Sequence, residues 1–82
     1  MNTKDRLQEV FREVFDDDEI VIEDHTTAAD IEGWDSLTQV QLVVAVQNEF
    51  GVKFSMAETT ALKNVGDFII LIDKRVQEAQ NG

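Results

Sequence analysis

The stretch Gly33-Trp34-Asp35-Ser36-Leu37 sets a serine hydroxyl beside a carboxylate, just after a glycine and directly before an amphipathic segment. A serine hydroxyl is a poor nucleophile unless a base activates it. The single histidine, His25, falls in a stretch without periodicity, where a solvated or loop-packing role is expected. Any base for Ser36 would therefore have to come from another protein. The same serine also has a structural use, because Ser36 and Gln39 fit the S-x-x-Q capping box that starts a helix. Spacing alone favours the cap. A second group of reactive side chains, Asp16, Asp17, Asp18 and Asp24, lacks the turn glycine and the terminal glutamate of a calcium-binding loop and reads as solvated surface. There is no cysteine, so the chain has no thiolate nucleophile, no zinc-thiolate site and no disulfide; this fits a reducing compartment.

Size and charge narrow the function further. A chain of 82 residues buries only about 60–65% of its unfolded surface, enough for one thin core in one domain but not for a deep enclosed active site. A self-sufficient enzyme is not expected. Seven basic residues against 17 acidic ones leave a net charge of −10, which disfavours nucleic acid and anionic membranes and favours basic protein partners. Residues 1–15 carry charges every few positions, unlike a secretion signal, and the longest apolar run is residues 68–72, too short to span a membrane. A soluble, cytoplasmic protein is expected. With 43% hydrophobic residues the chain has enough core material to fold.

The elements that must position the serine follow from periodicity. Leu7, Val10, Phe11, Val14 and Phe15 form one helical face, which predicts a first helix over residues 3–15, with Thr3 as its cap and the acidic run 16–19 at its end. Residues 16–35 then lose the pattern. In this long connection Ile20 and Ile22 alternate like a short extended segment, and Ala28 and Ile31 look like anchors onto the core. Over residues 35–50 a second helix carries two apolar stripes: Leu42, Val43, Val46 and Phe50 on one side, and Leu37, Val40 and Val44 well away from them. A small bundle buries one broad stripe, so the other needs a ligand, a partner or another element to cover it. Gly51 suits the left-handed end of that helix. Ser55 with Glu58 predicts a short third helix to about residue 62. Asn64 with Asp67 opens a fourth, whose repeat runs through Val65, Phe68, Ile69, Ile72 and Val76 into the polar tail 77–82. The fold class is thus all-α: a small four-helix bundle with three longer helices, one short third helix and a long first connection. The acidity is uneven, with 12 acids and 3 bases in residues 1–35 against 5 acids and 4 bases in residues 36–82.

Asp35-Ser36-Leu37 followed by Val40, Leu42, Val43, Val46, Glu49, Phe50 and Gly51 resembles the signature of acyl carrier proteins, and length, acidity and helix order extend the resemblance over nearly the whole chain. The resemblance implies that residues 1–82 form one carrier domain. It also implies that Ser36, flanked by Asp35 and Leu37, carries 4′-phosphopantetheine, transferred from coenzyme A by a magnesium-dependent phosphopantetheinyl transferase. Acyl groups would then ride as thioesters on the flexible arm, whose tether allows each docking event to be weak. Leu37, Val40, Gln41 and Val44 are the implied docking surface for acyl-loading, condensing and acyl-transfer enzymes, and the core between helices is the implied shelter for an acyl chain. The carrier itself is expected to be a monomer and no enzyme. Trp34, just before the motif, is expected to close its loop onto the core, with packing against the arm or a partner as the alternative.

One departure stands out. Many fatty-acid carriers have several acids along the second helix, whereas Thr38, Gln41, Gln47 and Asn48 are neutral here, which implies a different partner set and a specialised biosynthetic pathway. Two other readings share parts of the pattern. An aminoacyl, peptidyl or D-alanyl carrier would have the same fold and modified serine; a small acidic adaptor would use the exposed stripe for protein binding and Ser36 only as a cap.

Overall fold

The computed structural model describes residues 2–81, so Met1 and Gly82, the first residue and the last of the polar tail, lie outside the described part. Four helices follow one another: α1 (Thr3–Val14), α2 (Ser36–Phe50), α3 (Met56–Thr60) and α4 (Val65–Asn81), with a short 3-10 turn at Ala28–Asp30 in the long first connection. This is the expected order. α1 packs against both α2 and α4, and the core is built from Leu7, Val10 and Phe11 of α1, Leu42 and Val46 of α2, and Val65, Phe68 and Ile72 of α4, closed by Ile22 and Ile31 of the connection. α3 contributes no buried residue; its Met56 is 83% exposed.

Helix ends differ from expectation by small, physically clear amounts. Asn2, not Thr3, caps α1: its side chain accepts from the Asp5 amide at 2.8 Å, while Thr3 is already helical and donates its hydroxyl to Asp73 of α4. α1 stops at Val14, and Asp16 takes a left-handed conformation, φ 52°, that aspartate tolerates better than most residues. α2 ends on Gly51 in the left-handed region, as expected. α3 has the Ser55–Glu58 capping box but stops at Thr60 rather than near residue 62. The hydroxyls of Thr59 and Thr60 both turn back to the Met56 carbonyl, an alternative to continuing the ladder. Asn64 caps the start of α4 by accepting from the Asp67 amide. The polar residues from 77 onward continue α4 to Asn81 instead of forming a separate tail.

The long connection is ordered by its backbone hydrogen bonds. Ile20, Val21 and Ile22 alternate half-buried, exposed and buried, as an extended segment should. With no partner strand among the described residues, α1 supplies the bonds: Arg12 donates to the Ile20 carbonyl at 2.8 Å and Gln8 accepts from the Ile22 amide at 3.0 Å. The first amides of α4 complete the arrangement, Val65 donating to Thr26 at 2.8 Å and Gly66 to Asp24 at 2.7 Å. Glycine favours that approach, since a Cβ on residue 66 would sit a tight 3.0 Å from the Asp24 carbonyl oxygen and push the connection outward by a few tenths of an ångström. Ile31 anchors the connection as expected, but Ala28 does not: it is exposed, and the buried residues here are Ile22 and Thr26. A methyl group offers too little apolar surface to compete with isoleucine for the core.

The two stripes of α2 separate at their centres, with Val43 and Phe50 half-buried between them. Leu42 and Val46 are fully buried, whereas Leu37, Val40 and Val44 are 70%, 60% and 49% exposed. Leu42→Ala is expected to lower unfolding free energy by about 2–5 kcal/mol, and Leu37→Ala by less than about 0.5 kcal/mol, in urea titrations. Equal losses would show that the stripes are wrongly assigned.

Candidate functional site

The start of α2 is held by Asp35. In extended conformation, with φ −126°, its carboxylate accepts from the amides of Leu37 and Thr38, both at 3.0 Å. Its own amide donates to the Thr38 hydroxyl at 2.7 Å, and that hydroxyl donates to the Gly33 carbonyl at 2.8 Å. The capping box is therefore Asp35 with Thr38. The expected pairing of Ser36 with Gln39 is displaced by one residue, because Ser36 is already the first helical residue. Gln39 instead accepts the indole N–H of Trp34 at 2.7 Å. Trp34 meets Phe11 edge to face at 5.2 Å, so it closes the loop onto the core as expected. Gly33, at φ +88°, makes the turn that brings this loop round.

The consequence for Ser36 is direct. Its side chain is exposed, and among the described residues its hydroxyl makes no hydrogen bond. The bond from the Thr38 amide, helped by the Thr38 hydroxyl and the Leu37 amide, holds the Asp35 carboxyl below its ordinary value of 3.8, so a negative charge stands beside Ser36 at neutral pH. His25 is exposed on the connection and no hydrogen bond ties it to Ser36.

Ser36 lies on an open cavity of about 670 Å³ between α2 and α3, lined mainly by apolar atoms. Phe54 and Phe68 contribute to its wall and meet edge to face at 5.9 Å. Phe54 is placed by Gln47, whose side-chain oxygen accepts from the Phe54 amide at 3.0 Å. Asp35, Val40 and Val44 line the cavity with Ser36, while Leu37 and Gln41 do not and lie on the exposed outer face of α2. The far side is supplied by Met56 and Thr59 of α3 and by Lys63 and Asn64 of the link to α4. These residues are remote in sequence and carry no local signal of their place. The spacing D-x-x-T over Asp35 and Thr38 was the one signal that could have located the true cap.

Thr38 and Gln47 thus have structural work, and the neutral positions that face outward on α2 are Gln41 and Asn48. Glu49 is exposed but bridges to Arg6 of α1 at 3.2 Å, and Arg6 also stacks 4.3 Å from the centre of the Phe50 ring. From Ser36 to Asn48 the exposed face carries no charged side chain.

The family described as a phosphopantetheine attachment site matches residues 5–72. The acyl carrier protein of Thermotoga maritima is 31% identical over 71 residues, covering 87% of this chain and 88% of that protein. That of Thermosynechococcus vestitus is 35% identical over 80 residues, covering 93% and 98%. Among solved structures, the solution NMR structure of holo acyl carrier protein from Geobacter metallireducens superposes with a TM-score of 0.92 at 43% identity, covering 99% of this chain and 93% of that one.

The cap assignment makes two predictions. Ser36→Ala should unfold within about 0.5 kcal/mol of wild type, whereas Asp35→Ala should melt several degrees lower because the amides of Leu37 and Thr38 lose their acceptor. Since the folded pKa of Asp35 is depressed, the ionised cap contributes stability above its ordinary value of 3.8 and loses it as pH falls through the lower folded value. Asp35→Asn keeps a capping oxygen without the charge, so its stability deficit at pH 7 should close on acidification. A deficit that widens in acid would refute the assignment.

Proposed function

Because the chain belongs to the acyl carrier protein family, with the phosphopantetheine attachment domain spanning residues 5–72, we propose that its prosthetic arm is attached to Ser36. The protein is a phosphopantetheine-bearing acyl carrier and not a catalyst. One observation carries the choice of residue. The chain has two serines, Ser36 and Ser55, both exposed on the same cavity, but Ser55 accepts the Glu58 amide at 3.1 Å in its capping box while Ser36 is free of such work. The residues fit the group: an unengaged hydroxyl at the start of a helix, beside an open and mainly apolar groove.

When attached, the group supplies a thiol on a flexible arm, to which acyl cargo is joined as a thioester. Attachment forms a bond between the Ser36 oxygen and the nearer phosphorus of coenzyme A while the pyrophosphate P–O bond breaks. Adenosine 3′,5′-bisphosphate leaves, and the serine proton passes to a base of the transferase, since among the described residues no base is hydrogen-bonded to Ser36. Asp35 keeps the helix start rigid so that the hydroxyl is presented in one place.

The same reading assigns Leu37, Val40, Gln41 and Val44 to partner docking. Their support is exposure: an apolar stripe in a chain of net charge −10, on a helix whose buried face already fills the core. The partners proposed are the phosphopantetheinyl transferase and the enzymes that load, condense and transfer acyl groups. No helix of the described residues is long and apolar enough to cross a membrane. We place the carrier in the cytoplasm as a single monomeric domain over residues 1–82; the absence of cysteine is compatible with a reducing compartment. The uncharged outer face of α2 supports a dedicated partner set rather than general fatty-acid enzymes, because charge sets encounter rate and partner choice more than affinity.

Incubation with coenzyme A, magnesium and a broad-specificity transferase should add one phosphopantetheine to wild type and nothing to Ser36→Ala, read by intact mass. An unmodified wild type would instead favour an adaptor. Val40→Glu should fold normally yet be modified more slowly, and unfolding of that variant would overturn the docking assignment. General fatty-acid condensing enzymes should elongate acyl groups on this carrier more slowly than on their usual carrier; equal rates would remove the case for a dedicated partner set.

A further inference from the structure

Attachment at Ser36 creates an electrostatic problem that the bare chain does not have. A phosphodiester is an anion at neutral pH, and here it would sit beside the ionised Asp35 in a protein of net charge −10. The usual remedy is the amides of a helix N-terminus. In α2 that remedy is largely taken, since the Leu37 and Thr38 amides already donate to Asp35 and the Gln39 amide donates to the Asp35 carbonyl, which leaves the amide of Ser36 itself. A side-chain cation facing the same site would offset the repulsion that remains.

Most bases of the chain are committed. Lys4, Arg6, Arg12 and Arg75 each hold a carboxylate within 4.0 Å. Lys53, Lys63 and Lys74 have no acidic partner among the described residues. Of these three, only Lys63 lines the cavity that Ser36 opens on, and the charged residues of that lining are Asp35 and Lys63 alone. Its backbone is fixed at the head of α4, where its amide donates to Asp67 at 3.1 Å, while the side chain is a point charge on a flexible four-carbon stem.

We propose that Lys63 is a positioning residue for the prosthetic arm, its ammonium pairing with the phosphodiester on Ser36 across the mouth of the cavity. This rests on attachment at Ser36. The pair fixes the first bonds of the arm over the groove and leaves the thiol end free to swing. Being solvent-exposed, the pair is modest in strength and salt-sensitive. It also gives the link between α3 and α4 a role in the holo form that it lacks in the apo form.

The test uses the full chain labelled with nitrogen-15 lysine, in apo form and after modification by coenzyme A and transferase, with intact mass confirming the product and Lys63→Gln assigning the Lys63 signal. At low salt the Lys63 ammonium should titrate roughly half a pH unit higher in the holo form. Lys53 and Lys74 should not move, and 1 M salt should shrink the difference. Holo Lys63→Gln should also change the phosphorus-31 signal of the arm, and Lys63→Arg should restore it. Titration of Lys63 that is identical in apo and holo forms, or an equal shift of all three lysines, overturns the pairing while leaving Ser36 modification intact. Failure of wild type to gain mass, or a gain on Ser36→Ala, overturns the attachment reading and the pairing together.

Discussion

The carboxylate of Asp35 carries the arrangement of the whole site. By accepting the amides of Leu37 and Thr38 it takes over the work that a serine at a helix start usually does, and the adjoining hydroxyl is left without a structural duty. Thr38 extends the same lock to Gly33, and Gln39 extends it to Trp34, whose ring is seated on Phe11 of α1. The presentation of Ser36 is therefore coupled to the core of the bundle through one short chain of contacts.

α2 then works on two sides. Leu42 and Val46 tie it into the core, while Leu37, Val40 and Val44 remain outside, so this apolar stripe is exposed without loosening the fold. The negative charge is kept largely to residues 1–35, where Lys4 and Arg12 offset part of it by bridging to Glu23 and Glu9, while Arg6 reaches across to Glu49 of α2. The exposed face of α2 is left uncharged, which suits the docking proposed for it: a tethered arm supplies local concentration, so contacts there can remain weak.

Helix number, order and faces could be read from the sequence because apolar periodicity is a local property, and so could Gly51 and the Ser55–Glu58 box. Two caps were displaced by one residue, Thr3 for Asn2 and Ser36 for Asp35, because adjacent residues of both kinds cap well and only backbone conformation chooses between them. With Asp35 as the cap, Ser36 has no capping role and its hydroxyl is open to modification. The pattern places Ala28 as an anchor beside Ile31, but a methyl group gains little by burial and the residue is exposed. Thr38 and Gln47 looked like a neutral surface but hold the helix start and the segment after Gly51. The approach of Gly66 to Asp24 and the place of Lys63 on the cavity depend on long-range packing, which no spacing rule reports.

The central claim is that capping by Asp35 frees Ser36, and not Ser55, for the prosthetic arm. Fragmentation mass spectrometry of the protein isolated from its native host tests it most directly, by locating the phosphopantetheine within the chain. The account predicts the group on a peptide containing Ser36, with Ser55 unmodified. Phosphopantetheine on Ser55, or on any peptide that lacks Ser36, would contradict it.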